Sequence, residues 1–445
     1  MDNTADINQY IIMDAPIQSE APIFEKKQEP AGPKWHETSI MEKIAAIVIW
    51  PISFCYSNFV FSSSPEWKIS FGIFVMCLVV LTEALYFKRK RSAESWIFMV
   101  LTLVSTVSTV FPIGSVWDEG YSLLFTHLFA AYWILSRSDR LAEGETSHMF
   151  LWDGITAFFV MTFKNFHLNV RTIVSIFYRE KTGERKKRNV WGAIAGIAIG
   201  LILLAVAVSR LKSADDNFAN LMETVADALR IDIDGIFVLK CFMTTFLSMY
   251  LFGLLGGCYR ETRAHVEGRS DNIKHVIEAL RKIPGVVWVV LIGLFTVYYL
   301  IFFGLQGSYL FDAFRMHLPT QFTFSEYARK GFGDMCGVMA VNFIVTWLTI
   351  RTSQYGDNEG IKKAVKIASA CLTVESIFFA VIAGLKLLMY INAYGYTPLR
   401  LQSAWLVVVL FAACICVLVN MFSGKKTARA WFIGSSITLA ALCLV

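Results

Sequence analysis

Residues 285–305 read GVVWVVLIGLFTVYYLIFFGL, twenty-one consecutive positions without a charged side chain. At about 1.5 Å of rise per residue, a helix of this length reaches about 30 Å, the thickness of a bilayer's hydrocarbon core. The run is continuous rather than alternating, so it reads as a helix and not as a barrel strand. Runs of the same kind lie on both sides of it, at about 44–62, 69–87, 95–113, 120–136, 190–209, 236–257, 331–350, 365–390, 399–422 and 430–445. The fold class is therefore all-α: a polytopic transmembrane helical bundle of about eleven spans plus interfacial helices. Pro51 lies inside the first span and should kink it.

Composition agrees with the runs. Of the 445 residues 56% are apolar and only 17% charged, against about 25% charged in an ordinary soluble domain. Mean hydropathy is +0.52. A chain this poor in charge cannot build the surface of a cytosolic enzyme, a nucleic-acid binder or a secreted disulfide scaffold. The nine cysteines (55, 77, 241, 258, 336, 371, 414, 416 and 443) sit in or beside apolar runs. They show no CxxC pair and no Cys/His ligand spacing, which favours small buried apolar side chains over metal ligands or disulfides.

The chain divides into four parts. Residues 1–43 carry eight acids, four lysines and four prolines, and read as a disordered acidic cytoplasmic tail. This tail is too acidic and too long before the first apolar run for a cleavable signal peptide. Residues 44–136 hold the first four spans, 137–189 a cytoplasmic-side interfacial or re-entrant segment, and 190–445 spans five to eleven.

Basic residues set the orientation. With the N-terminus inside, 31 of the 41 Lys and Arg fall in cytoplasmic segments, 8 in outer segments and 2 within spans. Cytoplasmic loops retain positive charge, so the expected topology is N-in and C-out. Trp67, Trp96, Trp191, Trp288 and Trp431 stand at span starts, and Trp133 and Trp347 near span ends, where amphipathic indoles prefer to lie.

Three segments are not simple spans. Residues 148–178 are apolar but interrupted by Asp153, Lys164, His167, Asn169 and Arg171. A twelfth span there would break the charge count, so an interfacial or re-entrant helical pair is expected. Residues 213–230 read as an amphipathic helix on the outer surface, and 271–282 as a basic cytoplasmic helix stopped by Pro284. No internal repeat is visible.

Ionisable groups within spans need a reason, because each costs about 2.5–3.5 kcal/mol on insertion scales. Glu375 lies near the middle of the 365–390 run. Lys386 is eleven residues on, which returns to nearly the same helix face about 16 Å away. Lys240 and Asp334 lie near the outer ends of their spans. The outer loop 306–330 adds Asp312, Arg315, Glu326 and Arg329, and Arg400 opens the following outer start. Together they suggest a polar pocket in the outer half, with Glu375 deepest. Its candidate ligand-binding set is Glu375, Lys386, Lys240, Asp334, Glu326, Arg329 and Arg400. Snorkelling lysines and a neutral, helix-pinning Glu375 are the structural alternatives. The GxxxG steps at Gly192, Gly196 and Gly200, at Gly253 and Gly257, and at Gly333 and Gly337 read mainly as helix packing.

No GxxxxGK[ST], HExxH or GxSxG motif is present, and the seven histidines are scattered. No catalytic residue, metal or cofactor is expected.

Two segments carry a family resemblance. Residues 322–337 read FTFSEYARKGFGDMCG, and 390–400 read YINAYGYTPLR. They are similar to the signature segments of a bacterial multi-pass membrane family, domain of unknown function forty-one seventy-three, with forty-one fifty-three as its sister. The matching positions are Glu326, Tyr327, Ala328, Arg329, Gly331 and Phe332, then Ala393, Tyr394, Gly395, Thr397 and Arg400, with Ser213, Ala214 and Asp215 a weaker third match. The resemblance covers about 190–445 and implies a helical domain in the bacterial cell membrane, with no activity to carry over. Members usually continue into an outer polar segment. This chain stops at Val445 within an apolar run of 16 residues, as a short or truncated form would.

Three functions remain in view. The first is a transport or sensing component binding a small or anionic ligand from outside. The second is an enzyme acting on a lipid-linked substrate at the outer interface. The third is a scaffold for a partner protein. The bilayer is the one partner the residues specify, and no nucleic acid is expected.

Overall fold

The structure is a computed structural model that describes residues 38–61, 67–111, 119–177, 235–305, 332–356 and 358–444, with single positions at 200 and 323. Residues 1–37 of the acidic tail, span 190–209 apart from Gly200, the 213–230 segment and most of the 306–331 loop lie outside the described residues, while the last residues of the tail already belong to α1, which starts at Ile40. What is described is almost wholly helical. The helices are α1 (Ile40–Phe61), α2 (Trp67–Leu85), α3 (Ala93–Val110), α4 (Glu119–Arg137) and α5 (Phe150–Ile155). A π-turn (Thr156–Val160) runs from α5 into α6 (Met161–Lys164), followed by α7 (Leu168–Phe177), α8 (Gly235–Arg260) and α9 (Arg263–Ala279). The rest are α10 (Gly285–Leu305), α11 (Phe332–Thr352), α12 (Glu359–Tyr394), α13 (Pro398–Ser423) and α14 (Ala428–Leu442).

Among the described residues, eight helices are long and apolar enough to cross a membrane: α1, α2, α3, α8, α10, α11, α12 and α13. The chain is a multi-pass membrane protein. Of the other three expected spans, α4 packs along α3, α14 is a shorter apolar helix, and 190–209 is outside the described residues.

Local sequence sets the helix ends. Ser39 and Glu42 form a reciprocal capping box at the start of α1: the Ser39 N–H donates to Glu42 Oε2 (2.9 Å) and the Glu42 N–H to Ser39 Oγ (3.1 Å). Ser92, Thr262 and Asn358 cap α3, α9 and α12 by accepting from the N–H three residues on. Gly395, at φ +76°, closes α12, and Pro398 then opens α13 in its first turn.

The helices form two packing blocks. In the first, α1 packs on α2, α7 and α8, α2 on α3, and α3 on α4. Its core holds Ile49, Phe71, Phe98, Trp133, Leu135 and Phe252, all fully buried. In the second, α12 is central and packs on α10, α11 and α13. The short helix α14 packs on both α13 and α3. Phe432 of α14 stacks on Phe150 and touches Phe98 and Tyr132. The Trp431 indole N–H donates to Val409 O of α13 (3.0 Å). A parallel pair, β1 (Ile283–Pro284) with β2 (Ser353–Gln354), joins the start of α10 to the end of α11.

One end of the first block is closed by arginines. Arg89 donates to the backbone oxygens of Ser138 (2.6 Å), Cys258 (3.1 Å) and Tyr259 (2.5 Å). Arg137, buried, donates to Tyr86 O (2.9 Å) and to Glu83 Oε2 (2.9 Å). Arg140 donates to Cys258 O (3.3 Å), and the buried Tyr86 phenol to Leu255 O (2.6 Å). Except for Leu255 O, which lies one turn further in, these backbone acceptors lie at or just past the ends of α2, α4 and α8, where carbonyls run out of intrahelical donors. Cations there also face the negative ends of the helix dipoles. At the same end Arg260 pairs with Glu42 of α1 (2.6 Å), and Arg429 of α14 with both Glu94 of α3 and Glu145 (2.6 Å each).

The 150–177 segment packs beside this end. Its contacts with α8 run from Phe246 to Gly257 and those with α1 fall in that helix's first half, while its start also meets α4 and α14. Asn169, fully buried, donates to Ala46 O (3.0 Å) and accepts from the Trp50 indole N–H (3.0 Å), gripping the turn before Pro51. Glycines make the approach possible. A Cβ at Gly253 would stand 2.4 Å from Thr162 O, and one at Gly257 2.4 Å from Asn165 Nδ2. The other described GxxxG positions, Gly200, Gly333 and Gly337, have nothing within 4 Å of such a Cβ. Among the described GxxxG positions, close approach is thus confined to α8.

The basic helix expected at 271–282 begins earlier, as α9 at Arg263, because Thr262 supplies an N-cap. It ends at Ala279, before Pro284 is reached.

Two predictions follow from this end of the molecule. Gly253→Leu should destabilise by about 1–3 kcal/mol or more, since the obstructing atom is backbone and cannot swing away. Gly268→Leu on α9, where a Cβ meets nothing within 4 Å, should leave stability nearly unchanged. Unfolding of both in mixed micelles measures the difference. The second concerns Asp153, whose Oδ1 accepts from the Ala142 N–H (2.9 Å) while Oδ2 is buried without a partner among the described residues. Burial raises this carboxyl to about 7 from 3.8, against the lowering effect of the Ala142 N–H and Arg269. The folded chain keeps a proton that the unfolded chain releases at lower pH. Stability from this group is full in acid and is lost as pH rises through about 7. A melting profile falling between pH 4 and pH 8 should flatten in Asp153→Asn.

Candidate functional site

The second block buries polar groups at mid-span. Tyr299 of α10, Asn342 of α11 and Ser376 of α12 form a chain of hydrogen bonds between the three helices. The Tyr299 phenol donates to Asn342 Oδ1 (2.9 Å), and Asn342 Nδ2 donates to Ser376 Oγ (2.9 Å). The Ser376 hydroxyl donates to Leu372 O one turn back (2.9 Å). All three side chains are buried. Each donor has an acceptor, which is the condition for a polar network to stabilise an apolar interior. Interhelical bonds of this kind contribute about 1–2 kcal/mol in model peptides and less in whole proteins.

Glu375 lies beside this chain but outside it. It is 7% exposed and faces α10, where Thr296 Oγ1 stands 3.5 Å from Oε2, the outer limit of a hydrogen bond. Adjacent residues on a helix point about 100° apart. Ser376 can therefore reach α11 while Glu375 reaches α10. Phe379, one turn on, sits edge-on to Tyr299 (5.2 Å) and close to Phe303 (4.9 Å), walling the site with aromatic carbon.

Lys386 is 1% exposed on the same buried face of α12. Eleven residues separate it from Glu375, about 16 Å along the axis. Of the seven candidate positions, these two are brought onto one buried stripe.

The others are placed differently. Lys240, half-buried, is on α8, which packs on α1, α4, α6 and α7 and so belongs to the first block. Asp334 is exposed in the first turn of α11. Arg400 closes α12: Nη1 donates to Tyr394 O (3.0 Å) and Gly395 O (2.6 Å), and its guanidinium lies over the Tyr390 ring (4.0 Å). Glu326 and Arg329, like His317, Asp312 and Arg315, are outside the described residues. Among the described residues, no group of three His, Cys, Asp or Glu side chains is placed to hold a metal ion.

The model of the family Domain of unknown function (DUF4153) matches residues 97–445. The chain belongs to this family. The match starts within α3 and includes every helix from α4 onward, with both signature segments. It falls on the forty-one fifty-three family rather than on forty-one seventy-three, and it reaches upstream of 190 into the first block. No curated protein and no solved structure matches the chain. The Arg400 cap and the Gly395 turn both fall within the matched residues, and here they fix how α12 passes into α13.

Reading the sequence for charge missed Thr296, Tyr299, Asn342 and Ser376, which are neutral. One signal was available. Asn342 is the sole asparagine in the apolar run 331–350, and a mid-span amide needs a partner.

Asn342→Leu should cost about 1–2 kcal/mol by removing both interhelical bonds and leaving the Tyr299 phenol without its acceptor, while the Ser376 hydroxyl keeps its bond to Leu372 O. Tyr299→Phe removes one bond and should cost less. The two should combine non-additively in a double-mutant cycle followed by SDS unfolding in mixed micelles.

Proposed function

We propose that this chain is a transport component of a bacterial cell membrane that takes a small anionic solute from the extracytoplasmic side. The N-terminus and the arginine-closed end of the first block are placed in the cytoplasm, from the sorting of Lys and Arg between alternate loops. The observation that carries the reading is the pair Glu375 and Lys386, buried on one stripe of α12. A structural role needs no charge at that depth, since Tyr299, Asn342 and Ser376 already tie the helices together. An ammonium buried nearer the outer end supplies a counter-charge for an anion. A carboxyl one span-half deeper supplies a second ionisable station. Asp334, exposed in the first turn of α11, would stand at the mouth. Lys240 lies with the other block, and Arg400 holds the loop that leads to α13.

Proteoliposomes test this with radiolabelled acetate, lactate, phosphate and glutamate as probes. At least one should enter faster than into protein-free vesicles. Its rate should fall about tenfold or more in Lys386→Met and in Glu375→Gln, the scale of one lost buried ionic contact. Entry of every probe at the protein-free rate, or unchanged rates in both variants, would overturn the proposal.

A further inference from the structure

We infer that Glu375 is a proton-carrying site, which takes up and releases a proton while the helices around it stay docked. The inference deepens the transport reading and rests on it for its role.

The argument starts from the direction of the hydrogen bonds. Tyr299 donates to Asn342, Asn342 to Ser376, and Ser376 to the backbone oxygen of Leu372. The chain ends on a carbonyl, which can only accept, so the sense of every bond in it is fixed. None of these bonds involves Glu375. A change of charge at Glu375 therefore breaks no bond that holds α10, α11 and α12 together.

Its own contact is of a different kind. Thr296 presents a hydroxyl, with one hydrogen to give and lone pairs to accept. It can donate to the carboxylate, and by turning about its C–O bond it can accept from the protonated acid. A backbone N–H or an arginine in the same place could donate to either form but could not accept from the O–H of the acid.

The surroundings select a proton over a metal cation. Hard divalent cations take about six or more oxygen ligands. Here Asn342 Oδ1 accepts from Tyr299 and Ser376 Oγ from Asn342. The oxygen observed on Glu375 is that of Thr296, and Ile292, Phe379 and Met339 belong to the apolar core of the same three helices. A proton requires no shell of ligands, and its arrival removes the charge that an apolar site disfavours.

Few other groups on these helices could titrate in its place. From α10 the ionisable groups are the Tyr299 phenol, already donating, and the exposed Tyr298, and from α11 the Cys336 thiol, with Asp334 and Arg351 at the two ends of that helix. The α13 face in this core consists of Val407 and Leu410, and α12 itself adds Lys386.

Infrared difference spectroscopy on the full chain, reconstituted in phosphatidylcholine vesicles, reads the proton directly as the buffer is stepped from alkaline to acid. In an Asp153→Asn background, which removes the other buried carboxyl that gains a proton near pH 7, a protonated-carboxyl C=O band should grow with Glu375 intact and be missing in Glu375→Gln. It should persist in Asp334→Asn and move to higher frequency in Thr296→Val, which removes its hydrogen-bond partner. Superimposable titrations with Glu375 intact and with Glu375→Gln in that background would overturn the inference. Where Glu375→Gln does not fold, Glu375→Asp replaces it: a displaced band supports the site, and an unmoved one overturns it. The band needs no solute. Anion uptake without the band thus removes the proton site alone, and the band without any anion uptake removes the transport reading alone.

Discussion

Every helix that ends inside an apolar assembly leaves carbonyl oxygens with no donor, and a bilayer offers no water to supply one. In the first block, arginine meets this constraint. One guanidinium carries five N–H donors in a fixed plane. Arg89 thereby serves the last turns of both α4 and α8 while standing just beyond the end of α2. Arg137 returns the connection from α4 to α2. Lysine, a single ammonium on a flexible stem, cannot cross-link three helix ends in this way. The ends of α2, α4 and α8 are thus held in one plane, and the 150–177 segment docks beside it. Its approach to α8 depends on Gly253 and Gly257, and its grip on α1 on Asn169.

The second block is held by other means. Its helices meet through aromatic and aliphatic packing around Phe379, Met339 and Ile292, with the Tyr299–Asn342–Ser376 chain at mid-span. The blocks therefore differ in where their polar bonds lie, at one end in the first and in the middle in the second. Helix α14 ties them. Its Arg429 is fixed to Glu94 and Glu145, its Phe432 enters the first core, and its Trp431 bonds to the backbone of α13. Thr427, just before α14, donates to Cys416 O (2.8 Å), which turns the chain back along α13.

The long apolar runs were legible because length and continuity alone decide a span. The run 285–305 coincides with α10, and 399–422 differs from α13 by one residue at each end. The run 365–390 is shorter than α12, which extends over Glu359–Tyr394. Its first turns are charged and amphipathic, so hydropathy ends where the helix does not; the Asn358 cap and Gly395 turn set its limits. The arginines were visible, but only as loop charge. Their work as donors to carbonyls depends on which helix ends meet, and a loop count holds no such information. In the candidate site, the buried stripe of Glu375 and Lys386 followed from helical period. The placement of Lys240 in the other block did not, because tertiary neighbours are not periodic. Arg400 was read for its charge, whereas its geometry on Tyr394 and Gly395 shows a helix cap.

Helix α12 concentrates these themes. Thirty-six residues make a rod of about 54 Å, well beyond the roughly 30 Å of hydrocarbon. One end lies against Gly285 at the β1–β2 pair, where Ile361 and Val365 fill the space a Cβ would need. The other is clamped by Arg400. Between them the rod carries Glu375 and Lys386 on its buried face and Ser376 toward α11. A tilt of this rod would be felt at both ends, since α-helices are far stiffer along their axis than the side chains packed against them. The Ser376–Asn342 bond sits one residue from Glu375 and limits tilt where the charge lies. A carboxyl placed there can change its protonation with little displacement of the helix that bears it. The opposite placement, with charge inside the pinning chain, would have made each proton transfer an unpacking event.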